Sequence, residues 1–428
     1  MTGSAWAAAA LICLHLNSLG ALPPEVRAES VRPYLTGQRP IRVLIADDVS
    51  ALLLHPRSAI AIENPSTGAR LAVAQAGAAL SAKRSGTIVA LTGPGLKLTR
   101  ARIAMRPIGA DAGMVVSRKG GWGRRGLYPG CIEIAATARG IRVIEEVNLE
   151  TYVAGVVASE MPSYFPLEAM KAQAIAARTY ALYHLGGHAR EEADVCGSVH
   201  CQAYAGKPAA DSTAARAVRA TAGQVLLWDG LLMDSMYHAA CGGSTATAWE
   251  VRQGKLLPYL RGQPDTPAAG RGDAYCSRDH DANWGRRISF ANANRLVSAN
   301  LGAVTGSPGL VPGKLASMSV VRSEDTGRAE WLRVRTSKGT YQVRGDAIRW
   351  LLGNGRPGPE GLRSTCFDMV VSSDAAGRPR AFELTGRGHG HGIGLCQWGA
   401  RGRALAGQNA EEILAAYYPG ATVVDLRD

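Results

Sequence analysis

Apolar residues follow two rhythms along this chain. Between residues 41 and 146 they come in short runs, IRVLIA, SAIAIE, TIVALTG, LKLT, CIEIAA and IRVIEE, separated by Gly, Pro and Ser, the spacing of strands joined by tight turns. In NLETYVAGVVASE, residues 148–160, the period becomes helical, with Leu149, Tyr152, Val153, Val156 and Val157 on one stripe. Asn148 supplies an N-cap, Glu150 suits the first turn, and Pro162 forbids continuation. A second helix opens at Pro166 and runs to about Leu185. Beyond Trp284, FANANRLVSANL and DAIRWLLG read as helices. SMSVVRS, WLRVRTS, TYQVRG, FDMVVSS and RAFELTG read as strands, with Lys338-Gly339 as a hairpin turn. Asn409 and Glu412 form a capping-box pattern for the closing helix. Spaced hairpins with isolated helices predict an α+β fold. Its expected parts are a β-rich N-terminal region, residues 30–146, and a mixed core, residues 147–428, with a long helix pair, antiparallel hairpins and a strand-rich insertion at about 285–380.

Extending the first helical stripe by one turn lands on Glu160, where a hydrophobe is expected. Its carboxyl should therefore point into the protein at the negative end of the helix, and both effects favour the protonated form. Such a group suits general acid work, and a structural pairing with an Arg is the alternative. On the second helix, Lys171 and Arg178 are seven residues apart and share a face with Leu167, Ala174 and Ala181. Two cations among alanines fit a pocket for an anionic group as well as they fit snorkelling over a packed helix.

Three further stretches carry chemistry. DVCGSVHCQAY holds Cys196, His200 and Cys201, thiolate and imidazole donors that favour zinc, with His188 upstream as a fourth ligand. A Cys196–Cys201 disulfide is the competing reading. YHAACGGST and GRGHGHGIGLCQWGA are dense in glycine, which lets backbone approach a ligand closely. We expect Gln202, Tyr204, Cys241, Gly242, Gly243, His389, His391 and Gln397 to contact substrate. A phosphate-binding loop and a Gly-x-Ser-x-Gly elbow are both absent from the sequence.

The composition, 46% hydrophobic and 19% charged over 428 residues, is that of a folded soluble protein. A net charge of +13 favours an acidic partner, but Lys and Arg are scattered and aromatics make up only 6%, which disfavours nucleic acid. An anionic polysaccharide or cell envelope fits the charge instead. Residues 1–25, an apolar run from Ala5 followed by small residues, resemble a secretory signal, with an N-terminal membrane anchor as the second reading. Either would put the protein in the periplasm or at the envelope exterior.

The long segments VNLETYVAGVVASEMPSYFPLEAMKAQAIAARTYAL, DVCGSVHCQAYAG, YHAACGGST and GHGHGIGLCQWGARGRALAGQNAEEILAAYYPGA, in this order, resemble stage II sporulation protein D and the related amidase-enhancer proteins. The resemblance implies a peptidoglycan lytic transglycosylase acting on glycan strands without stem peptides. Glu160 would be the catalytic acid, Lys171 and Arg178 would be needed for activity, and Cys196, His200 and Cys201 would belong to a zinc-binding segment. Cys396 stands where many relatives carry Ser. The enhancer branch implies the alternative, a non-catalytic wall-binding protein that stimulates an N-acetylmuramoyl-L-alanine amidase.

Overall fold

A computed structural model describes residues 25–109, 112–118, 126–252, 257–267, 273–277, 282–358 and 360–427. The expected signal or anchor lies outside these residues. Among them, no helix is long and apolar enough to cross a membrane.

The period-2 runs form two sheets. One has seven strands in the order Val195–Cys196, Ile41–Val49, Ile141–Val147, Cys131–Ala136, Arg102–Pro107, Ile60–Glu63 and Arg70–Ala74. Alternate residues Ile41, Val43, Ile60, Ile62, Ile103, Met105, Ile132, Ile134, Ile141 and Val143 are fully buried on it, as expected when one face of each strand meets the core. The second sheet has six strands, from Leu127–Tyr128 to Leu96–Arg100. Neighbours in both are antiparallel except for one edge, where Val43 and Leu44 pair in parallel with Val195 and Cys196. That edge anchors the Cys196 loop to the sheet. Strand Ile141–Val147 runs straight into helix Leu149–Glu160, and helix Leu167–Tyr183 follows. The chain is therefore α+β, with both predicted helices in place.

The sheets and helices share one hydrophobic core that runs from Val31 to Tyr418. A second core gathers Ile288, Leu296, Val297, Leu332, Val334, Ile348, Phe382 and Leu384. It is built from strands Leu315–Arg322, Ala329–Thr336 and Gly339–Arg344, strands Asn283–Ser289, Pro379–Arg387 and Phe367–Ser373, and helix Phe290–Val304. The helix Thr213–Ala220, which packs on the two long helices, has no counterpart in the sequence reading.

Candidate functional site

Asn148 caps the first helix as its side chain predicts: Oδ1 accepts the N–H groups of Glu150 and Thr151 at 2.9 and 3.4 Å. The stripe from Leu149 to Val157 is buried, so the last turn turns the half-buried Glu160 toward the protein. Its two oxygens have different partners. Oε1 accepts the N–H of Ala203 at 2.7 Å, and Oε2 accepts the side-chain amide of Gln397 at 3.2 Å. Burial pushes the nearby phenols of Tyr152 and Tyr237 well above the usual tyrosine value, and the Glu160 charge adds to this. Both phenols thus stay neutral.

Gln397 reaches Glu160 because the two glycine-dense stretches lie side by side. Tyr237–His238 pairs in parallel with Leu395–Cys396, and Ala240 and His389 exchange both backbone hydrogen bonds at 3.0 and 2.7 Å. Gly394 has φ of +69°, and a Cβ there would strike the Met236 carbonyl, so this close approach requires glycine. Gly242 and Gly243 also sit at positive φ. His389 is exposed. His391 is half-buried against His238, ring centroids 5.5 Å apart, with its Nδ1 accepting the Ile393 N–H at 3.0 Å.

Several expected substrate contacts are corrected by burial. Gln202 accepts from the Tyr152 hydroxyl at 3.1 Å and donates to the Ala177 carbonyl and the Tyr237 hydroxyl at 3.2 and 2.9 Å. A buried amide must satisfy its polar atoms internally, and this one does so as a strut behind Glu160. Tyr204 is equally enclosed, its hydroxyl donating to Glu145 at 2.8 Å and its ring filling the space that a side chain at Gly155 would need. The Cys241 side chain is fully buried and faces Asp265. Arg178 is fully buried too. It grips both carboxylate oxygens of Glu150 at 2.8 and 2.5 Å and donates to the Gln224 carbonyl at 2.9 Å. The pocket expected around Arg178 is instead an internal ion pair between the two long helices. Lys171, 25% exposed, pairs with Glu168 at 2.7 Å, and the other oxygen of Glu168 accepts the Ala410 N–H at 3.0 Å.

His188, Cys196, His200 and Cys201 converge, their ligand atoms all within 4.8 Å of one another. His188 Nε2 is 3.3 Å from the Cys201 sulfur, and His200 Nδ1 is 3.8 and 3.5 Å from the sulfurs of Cys196 and Cys201. The other nitrogen of His188 faces Glu191 at 3.5 Å, the kind of carboxylate partner that orients metal-bound imidazoles. The donor set fits a zinc-type ion. Ala203, which holds Glu160, lies just past this loop.

The sequence reading missed an aromatic shelf on the segments that follow Glu160 and Gln397 in the chain. Tyr164 is 63% exposed and edge-on to Phe165, which lies 5.0 Å from the Trp398 ring. The Arg401 guanidinium stands 5.5 Å from Trp398 and 5.8 Å from Tyr164. The signal was available, since Tyr164 and Phe165 follow Glu160 closely and Trp398 follows Gln397.

A carboxylate clasped between a Cys/His loop and a glycine-rich segment on an α+β scaffold defines the site. The family described as Stage II sporulation protein matches residues 137–228, and a domain of unknown function matches residues 273–394. An uncharacterized protein of Brachyspira hyodysenteriae is 30% identical over 66% of this chain and 68% of its own length. The amidase enhancer of Bacillus subtilis is 29% identical over 63% of this chain but 40% of its own length. Stage II sporulation protein D of Bacillus subtilis is 25% identical over 65% of this chain and 75% of its own. The chain belongs to the stage II sporulation protein D and amidase-enhancer family.

Proposed function

We propose that this protein acts on the bacterial cell wall as a lytic transglycosylase. It would cleave the MurNAc–GlcNAc bond of peptidoglycan strands that lack stem peptides and leave 1,6-anhydro-MurNAc ends. The observation that carries this reading is Glu160, held from one side by Ala203 and from the other by Gln397. In the proposed reaction Glu160 protonates the glycosidic oxygen, the bond to the muramic C1 breaks, and an oxocarbenium-like centre develops there. The same carboxylate then takes the proton of the muramic C6 hydroxyl, whose oxygen closes onto C1.

One carboxylate suffices for this route, whereas hydrolysis of the usual kind wants a second acid across the bond. Two acids that could serve, Glu168 and Asp194, are committed elsewhere. Glu168 is tied to Lys171 and to the Ala410 N–H, and Asp194 accepts the N–H groups of Arg42 and Gly186 at 2.9 and 3.2 Å. The shelf of Tyr164 and Trp398 offers a stacking surface for a sugar ring. Arg401, beside the Trp398 ring, supplies charge for the lactyl carboxylate that stem-peptide removal exposes. Zinc is the ion we assign to His188, Cys196, His200 and Cys201, where it would fix the loop that presents the Ala203 N–H. Such a substrate requires export to the periplasm or envelope exterior, and the net charge of +13 suits that anionic setting.

The test is to incubate purified protein alone with denuded glycan strands and identify the ends by mass spectrometry. Products one water lighter than hydrolysed ends, lost in Glu160→Gln, are expected. The name of the Bacillus subtilis amidase enhancer favours a second reading, a helper that binds wall and stimulates an amidase. Unchanged glycan together with faster amidase turnover would replace the first reading with the second.

A further inference from the structure

Outside the site described above, three cysteines and an aspartate from distant parts of the chain meet in the core. Cys241, Asp265, Cys276 and Cys396 are 0%, 0%, 2% and 0% exposed, and their ligand atoms all lie within 4.8 Å of one another. The Cys241 sulfur is 3.2 Å from Asp265 Oδ2 and 3.5 Å from the Cys276 sulfur. We propose that these four residues form a second, buried metal site for a zinc-type divalent ion, distinct from the Cys196 loop.

The surroundings are built for thiolates. The Cys396 sulfur accepts the backbone N–H groups of Cys241 and Gly399, each at 3.2 Å, the second from the opening turn of helix Gln397–Leu405. Gly242 and Gly243, directly after Cys241, take φ values of +78° and +113°, a backbone path that glycine follows without strain. Asp265 is oriented from behind: Oδ1 accepts from the Tyr417 hydroxyl at 2.7 Å and from Arg403 at 3.2 Å, which leaves Oδ2 to face the sulfurs. A fixed second shell of this kind is what holds metal ligands in position.

Charge and spacing point the same way. Three thiolates and a carboxylate carry more negative charge than a divalent ion cancels. Arg403, together with the buried Arg328 that donates to the Cys241 and Ser244 carbonyls, offsets the excess. Sulfurs around a tetrahedral zinc lie about 3.8 Å apart, given zinc–sulfur bonds of about 2.3 Å, close to the separation of Cys241 and Cys276. A disulfide between those two would leave the Cys396 thiol and the Asp265 carboxylate facing it without a joint partner, whereas one cation engages all four. The site would pin the two glycine-dense stretches to the segment carrying Asp265 and Cys276. Cys396 directly precedes Gln397, so the pin sits behind the amide that holds Glu160.

The experiment begins with the full-length wild-type chain, purified without chelator, and needs no variant. Elemental analysis should find two zinc ions per chain, and titration of the unfolded protein should find all cysteines as free thiols. Cys276→Ser and Asp265→Asn should each lose about half of the metal. In a chain whose first site is removed by Cys196→Ser with Cys201→Ser, added cobalt should still give sulfur-to-cobalt charge-transfer absorption and tetrahedral visible bands. An intact mass two hydrogens light, with the bond mapped by peptide mass spectrometry to two of Cys241, Cys276 and Cys396, overturns the proposal in favour of a disulfide. So does metal that Cys201→Ser removes completely while Cys276→Ser leaves it unchanged. Glycan cleavage does not enter these readouts, so the site stands or falls separately from the proposed activity.

Discussion

Replacing Arg178 with methionine keeps an unbranched apolar stem but removes a guanidinium that has no exposure to solvent. Three things are lost together: the two-pronged grip on Glu150, the hydrogen bond to the Gln224 carbonyl, and the electrostatic match between the two long helices. Breaking a buried pair by removing one partner costs about 3–5 kcal/mol. The Glu150 side chain is 25% exposed, so water screens the charge left behind and the lower end, about 3 kcal/mol, is the better figure. An orphaned carbonyl adds about 1 kcal/mol. Against a typical total of about 5–15 kcal/mol, this is a large fraction of the stability of the fold. Urea unfolding followed by circular dichroism should show the loss, and Arg178→Met combined with Glu150→Gln should recover part of it, because no uncompensated charge remains. Any fall in glycan cleavage should track the folded fraction and vanish at temperatures where the variant is folded. A variant that unfolds within about 1 kcal/mol of the parent yet cleaves nothing would refute this reasoning and return Arg178 to the catalytic role that the family resemblance implies.

Removing the Gln397 amide with Gln397→Ala strips a donor from Glu160. Hydrogen bonds to charged groups are worth about 1.5–3 kcal/mol, so a tenfold or greater fall in kcat per folded molecule is expected in steady-state assays on denuded glycan, with circular dichroism giving the folded fraction of this buried-site variant. Tyr164→Ala deletes the exposed end of the aromatic shelf and should raise KM several-fold with little effect on kcat, whereas an unaltered KM would remove the shelf from substrate binding. Burial lifts the Glu145 carboxyl to about 7, although the Gly130 N–H and the Tyr204 hydroxyl pull it down. Its contribution to stability is therefore complete below the unfolded carboxyl range near 4.5 and is lost as pH rises through 7, on the order of 3 kcal/mol in all. Denaturation midpoints of wild type should fall across that window relative to Glu145→Gln, and parallel profiles would contradict the assignment.

Features that depend on near neighbours were legible along the chain. The apolar period from Leu149 to Val157, the Asn148 cap and the Asn409 capping box specify helices whose hydrogen bonds close within one turn, and the structure contains all three. Cys196, His200 and Cys201 are close enough in the chain for their convergence to be read from spacing. The rest emerged only on folding, because burial and partner choice depend on strand register and helix packing across long stretches of chain. Arg178 looked like a pocket cation until Glu150, on the preceding helix, filled the space beside it. Gln202 and Tyr204 looked like ligand contacts until Tyr152, Tyr237 and Glu145 took up their polar atoms. Cys241 and Cys396, 155 positions apart, meet only because Tyr237–His238 pairs in parallel with Leu395–Cys396. No local pattern encodes that register: it is set by which glycines let two backbones approach and by the single core that both strands help to close.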